Sequence, residues 1–301
     1  MSSPFAQFAR TTTTNGAAAL STTGNPLVNF FFNVGSSRTN LEGIKNDFKA
    51  AYKSDPMKAT AILLWARDIR HDGAGERQVF RTLLRELVDM TTVQAGVFSG
   101  KVVSLIPTIG RYDDLKTLYG TRFETHALAI WRSAILARDV LAAKWGKRED
   151  KKLQNALTTN EAGLRKLLAS IRKDAIPEAK MSAGEWGQIE YGKLPSIAGM
   201  RYAKAFRKHD NDRYDAFINS KETKVNAGAA FPYDVYRMWS SRTTQEVEIQ
   251  KFWDNLPDLG IAGNILGIAD VSGSMWWDSA KVSGSLYAGD IAIAMSVYTG
   301  S

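Results

Sequence analysis

Asp270, Ser272 and Ser274 alternate with small or apolar residues in Asp270-Val271-Ser272-Gly273-Ser274, a spacing that lets one carboxylate and two hydroxyls converge at a tight turn. Oxygen donors of this kind suit Mg2+ or Mn2+. The apolar run Asn264 to Ala269 has strand length and predicts a strand that delivers Asp270 to the turn. Asp290 to Tyr298 predicts the helix that follows.

Other catalytic or metal chemistry finds little support. No cysteine occurs, which removes disulfides and thiolate ligation and fits a reducing compartment. The three histidines, His71, His126 and His209, are too far apart in sequence for a local zinc motif. No nucleophile–base pair or acid pair can be assembled, so an enzyme is not expected. His71-Asp72-Gly73-Ala74-Gly75-Glu76-Arg77 holds a Gly-x-Gly but no preceding strand, and it reads as a helix–helix turn. Pro107 to Leu115 reads as a turn into a helix, with Asp113 and Asp114 near its positive end.

Charge points to polyanions. The chain carries 39 Lys and Arg against 31 Asp and Glu, a net +8, and the excess is concentrated. Arg132 to Lys173 contains eleven basic residues and four acidic ones. Such a segment is either a phosphate-binding surface or a solvated helix face. A second block, Arg207-Lys208-His209-Asp210-Asn211-Asp212-Arg213-Tyr214, interleaves cations with aromatics as single-stranded nucleic-acid sites do, although Trp186 and Phe206 are better read as core. From charge density, Lys144, Arg148, Arg201, Lys204, Arg207 and Lys208 are the candidate phosphate contacts.

The elements that would position these residues are helical. With 301 residues and a 44% hydrophobic fraction, the chain can bury one large core or two ordinary ones. Residues 1–38 are rich in Ser, Thr, Ala, Gly and Asn and suggest a polar arm, whose Phe30-Phe31-Phe32 would dock on the body. From Asn40 onward apolar residues recur at helical steps: Leu41, Ile44, Phe48 and Tyr52; Ala61, Leu64, Trp65 and Ile69; Val79, Leu83, Leu84 and Leu87; Val102, Val103, Leu105 and Ile106 before Pro107. The expected fold is mainly α, a HEAT-like helical-repeat array over 39–258 followed by a partial α/β domain over 259–301. No apolar run is long enough for a membrane span, and no membrane partner or small-molecule substrate is evident.

Several stretches in order resemble the TROVE helical-repeat plus von Willebrand factor A family, the fold of the Ro ribonucleoprotein autoantigen, and above all its poorly characterised branch in bacteria, phages and some eukaryotes. They are Asn15-Gly16, Thr23 to Val28, Ala66 to Arg70, Gly75-Glu76-Arg77, Ala143-Lys144-Trp145, Leu194-Pro195-Ser196, Phe206 to Asp210 and Asp270 to Met275. The resemblance implies that 259–301 is the first strand and helix of a von Willebrand A domain, with a metal-ion-dependent adhesion site at Asp270, Ser272 and Ser274. The family's further ligands, a Thr and a second acidic residue, have no counterpart in this sequence, so a weak, incomplete Mg2+ or Mn2+ site is expected. The resemblance also implies RNA as a partner, with a protein partner or another subunit at the metal loop. The expected function is a non-enzymatic, ribonucleoprotein-type RNA-binding protein in the cytoplasm of a bacterial or phage-infected cell. The alternative is a structural or assembly protein such as a phage particle component, which would place it in a virion.

Overall fold

The computed structural model describes residues 10–12, 18–20, 22–38, 40–90, 96–173, 175–258 and 266–300. The chain is mainly α and separates into two compact units, Met1–Ala175 and Ile176–Ser301. That boundary falls inside the 39–258 span the sequence had treated as one array. Among the described residues no helix is long and apolar enough to cross a membrane.

In the first unit two short strands, β1 (Arg10–Thr12) and β2 (Ala18–Leu20), pair antiparallel, and nine helices follow among the described residues. These are α1 (Pro26–Asn33), α2 (Leu41–Ser54), α3 (Pro56–Arg67), α4 (Arg77–Met90), α5 (Gly96–Ile109), α6 (Glu124–Leu136), α7 (Val140–Trp145), α8 (Lys151–Ala156) and α9 (Glu161–Arg172), with a 3-10 helix at Tyr112–Leu118. Polar residues punctuate the starts. Asn25, Asn40, Asp55, Asp139, Asp150 and Asn160 each accept hydrogen bonds from first-turn backbone N–H groups, which have no partner inside the helix. Residues 1–9 and 13–17 of the polar arm, with Asn15-Gly16, lie outside the described residues. Its later part forms α1, where Phe30 is fully buried against Phe48 and Phe31 packs on Trp65.

The apolar stripes of α2 and α4 face the core; of the α3 stripe, Leu64 and Trp65 pack against it partly buried, whereas Ala61 and Ile69 are exposed. Helix α3 buries Ala59, Thr60, Leu63, Ala66 and Arg67. The helix is apolar around most of its surface, so pattern alone does not choose a face, and a buried ion pair at Arg67 decides it. Helix α5 runs through Pro107 to Ile109; near a C-terminus a missing backbone N–H costs one bond without ending the helix. Trp131 fills the centre of the unit, fully buried, and donates Nε1–H to Ala142 O at 3.0 Å.

The second unit contains α10 (Pro177–Ala183), α11 (Ser196–His209), α12 (Asn211–Asn219), α13 (Pro232–Ser240), α14 (Glu246–Trp253) and α15 (Ala288–Gly300). Its core is in two small parts. One is aromatic, around Tyr191, Phe206 and Tyr214; the other gathers Val225, Val235, Met238 and Phe252. A groove of about 470 Å³ opens between α13, α14 and α15, bordered by Tyr236, Trp239 and Trp253.

The expected strand before Asp270 is not formed over the residues described. Asn264 and Ile265 lie outside them, and residues 266–272 are irregular, with Leu266 84% and Ile268 87% exposed. Among the described residues no neighbouring strand offers them a ladder, and an apolar run without pairing partners does not become a sheet. The strands that do form here are a hairpin, β3 (Lys281–Ser283) with β4 (Leu286–Tyr287). Helix α15 contains the predicted Asp290–Tyr298 and packs on α13. Trp276 lies over Gly289, where a Cβ would meet the indole at 2.6 Å, whereas Trp277 is 65% exposed.

Candidate functional site

The predicted phosphate contacts separate into two kinds. On α11, Arg201, Lys204 and Lys208 follow one another at i, i+3 and i+7, opposite the buried Gly199, Ala203 and Phe206. All three are exposed, and none makes an ion pair with a described residue. Arg207 is turned the other way. Its Nη1 donates to Asp215, and its Nη2 donates to Glu248 Oε2 at 3.0 Å. Glu248 is 1% exposed and also accepts from Tyr214 Oη at 2.5 Å. Burial, followed by the Glu248 charge, pushes the Tyr214 hydroxyl well above the usual phenol range. Tyr191 is raised in the same way by burial and by Asp210, to which its hydroxyl donates. The geometry gives Arg207 a role in cross-linking α11, α12 and α14.

In the first unit Lys144 is half-buried on α7, and Arg148 lies in an exposed pair with Glu149 at 2.8 Å and 3.5 Å from Glu161. Of the eleven cations in 132–173, Lys152 is also paired, with Glu124. Arg132, Lys147, Lys151, Arg165, Lys166 and Lys173 are exposed and have no ion pair among the described residues.

Asp270, Ser272 and Ser274 do come together. Ser272 Oγ and Ser274 Oγ are 3.0 Å apart, and Asp270 Oδ1 accepts the Ser272 backbone N–H at 2.9 Å. That bond holds the Asp270 carboxyl below its ordinary range. All three residues are exposed. The turn supplies three ligand side chains toward the six positions of an octahedral Mg2+ ion, and no cluster of three or more His, Cys, Asp or Glu exists among the described residues to supplement it.

A further constellation escaped the sequence reading. The loop 68–76, between α3 and α4, meets the turn 110–114: Ile69 N donates to Ile109 O at 2.9 Å. Their meeting gathers Arg67, Arg77, Arg81 and Arg111 around Asp113 and Asp114. Asp114 is fully buried. Its Oδ2 accepts from Arg67 Nε at 2.8 Å and from the Arg111 backbone N–H at 3.1 Å, and its Oδ1 accepts from Arg81 Nε at 2.7 Å. Asp113 Oδ2 takes Arg77 Nη2 and lies 3.0 Å from Arg81 Nη2, at an angle that leaves Arg81 Nη2 without a hydrogen bond. Asp113 Oδ1 is likewise buried and unpaired. The Arg111 guanidinium lies over the Trp145 ring, 4.5 Å from its centre. Two sequence signals were available, the Arg77/Arg81 pair one helical turn apart and the Asp113-Asp114 doublet. Neither indicates that two loops nearly forty residues apart touch.

Comparison with known proteins corrects the family resemblance. The family described as Domain of unknown function (DUF2828) matches residues 13–89 and 124–255. Uncharacterized protein L728 of Acanthamoeba polyphaga mimivirus is 24% identical over 331 aligned residues, covering 90% of this chain and 57% of that protein. The chain thus spans little more than half the length of this relative. No solved structure matches. The family that matches is DUF2828 and not TROVE or von Willebrand A, its match stops before Asp270, and the strand that would begin a von Willebrand A sheet is missing over residues 266–272. Short motifs such as Asp-x-Ser-x-Ser constrain a turn and not the sheet beneath it, which is why they misled. The match to DUF2828 extends over more than two thirds of the sequence, and the chain belongs to that family.

Proposed function

We propose that this chain is a non-enzymatic RNA-binding protein of the ribonucleoprotein type, acting in the cytoplasm. The observation that carries the reading is the stripe of Arg201, Lys204 and Lys208 on α11, three exposed cations with no ion pair among the described residues, spread over about 10 Å at the rise of an α-helix. Nothing in the core needs them. The exposed cations of 132–173 add to the same electrostatic attraction, and we read the helices that present them as a HEAT-like array. RNA is favoured over other polyanions because the exposed His209 ring stacks on Trp186 at 4.4 Å beside the stripe, the aromatic element that single-stranded sites use.

Fluorescence anisotropy with a hairpin RNA tests the proposal. Affinity should fall steeply between about 50 and 200 mM salt, and the triple variant Arg201→Glu, Lys204→Glu, Lys208→Glu should flatten the log–log salt slope by about 2, from three lost single-strand phosphate contacts. A folded wild-type chain that ignores RNA at the lower salt overturns it. A second reading, an assembly protein, is favoured by the exposed Leu266, Ile268 and Trp277. Sedimentation separates the two: a discrete large particle that forms without RNA and does not bind it supports assembly.

We read the Asp270, Ser272 and Ser274 turn as a weak Mg2+ or Mn2+ site that serves a partner. Calorimetry should show at most millimolar Mg2+ affinity, about the range of rigid, ligand-poor sites. Micromolar binding, lost in Ser272→Ala, would refute the reading of an incomplete site.

A further inference from the structure

We propose that the loop 68–76 and the turn 110–114 of the first unit form a binding site for a phosphate group, with Arg77 and Arg111 presented to the ligand and Arg67, Arg81 and Asp114 holding them in place. Four guanidinium groups surround Asp113 and Asp114, while the loop's own Glu76 is paired with Arg38 and its Asp68 with His71. Neutralising a buried Asp114 requires fewer. Its oxygens are already taken by Arg67, Arg81 and the Arg111 backbone, and Asp113 Oδ2 is shared by Arg77 and Arg81. The Arg111 guanidinium makes no ion pair among the described residues, although Asp113 Oδ1 is unpaired, and its contact is the Trp145 face. Arg67 is fixed behind them: its side chain is 2% exposed and donates through Nε to Asp114 Oδ2 at 2.8 Å.

The electrostatics agree with the geometry. Burial depresses the pKa of Arg111, and repulsion from Arg77 and Arg67 depresses it further, more than Asp113 and Asp114 restore it. A bound dianion would relieve that repulsion. Arginine forks match the tetrahedral oxygens of phosphate. Glycines let the two segments hold this arrangement: a Cβ at Gly110 would lie 2.8 Å from Asp114 Oδ2 and 3.1 Å from Arg67 Nε, in the space of that ion pair, and Gly75 turns the other loop at φ +68°. Arg77, 43% exposed, leaves the cluster open to solvent on its side.

Calorimetric titration of the whole chain with inorganic phosphate tests the site, in about 150 mM chloride so that diffuse surface charge is screened beyond roughly 8 Å. Saturable one-to-one binding is expected, weakened about tenfold or more in Arg111→Gln and in Arg77→Gln, each of which removes a charge-assisted contact. These variants spare the Arg67–Asp114 pair, and thermal melts will show that they fold. No saturable phosphate binding by the wild-type chain, or equal binding by both variants, overturns the proposal. Short RNAs with a 5′-phosphate or a 5′-hydroxyl then identify the source. A phosphate-dependent gain that inorganic phosphate competes away upholds the site with an RNA end as ligand. Inorganic phosphate binding without that gain upholds it with a small phosphorylated compound. The α11 triple variant should keep its phosphate affinity, so failure of the RNA reading and failure of this one remain distinct.

Discussion

Asp114→Ala lowers the melting temperature of the first unit by roughly 10 °C, the consequence of about 3–5 kcal/mol lost when one partner of a buried pair is removed from a unit of this size. The carboxylate is 0% exposed and accepts from Arg67 and Arg81 side chains and from the Arg111 backbone. Its deletion leaves Arg67, itself 1% exposed, as an uncompensated buried cation and releases the turn 110–114 from α3 and α4. Far-ultraviolet circular dichroism during heating measures the effect. Glu42→Ala is the control: it removes a pair with Lys45 in which the glutamate side chain is 81% exposed, and solvent already screens that contact. A melting temperature within a degree or two of wild type in both variants would mean that the arginine cluster does not hold the unit together.

Glu248→Ala destabilises the second unit by about 2–4 kcal/mol, somewhat less because Arg207 keeps a second partner. Glu248 is 1% exposed, and it ties Arg207 of α11 and Tyr214 of α12 to α14. Without it the Tyr214 hydroxyl loses its acceptor, while Arg207 retains Asp215. Urea denaturation followed by tryptophan fluorescence reports the loss, since Trp186 and Trp253 lie in the same unit. The expected result is a lower midpoint with an unchanged slope. An unaltered midpoint would return Arg207 to the set of cations available for phosphate. RNA affinity of Arg207→Gln, measured on protein shown to be folded, should be much closer to wild type than that of the α11 triple variant.

What the sequence determined by itself was local. Asn and Asp at helix starts, Pro at first turns and the three- and four-residue recurrence of Ile, Leu, Phe and Val specify helices through short-range backbone chemistry, and the mainly α class followed from them. The α11 stripe was equally legible, because Arg201, Lys204 and Lys208 share a face by spacing alone. Tertiary structure decided what depends on contacts distant in sequence. Arg207 has the same residue type and sits one position from Lys208, yet Glu248, forty-one residues away, draws it inward. Arg67 is buried because Asp114, forty-seven residues away, neutralises it. The run 266–271 has the composition of a strand and is not one, since a strand exists only where a second strand meets its backbone groups. The convergence of two glycine-bearing loops into an arginine cluster is a property of the packed helices, and composition, charge and periodicity carry no record of it.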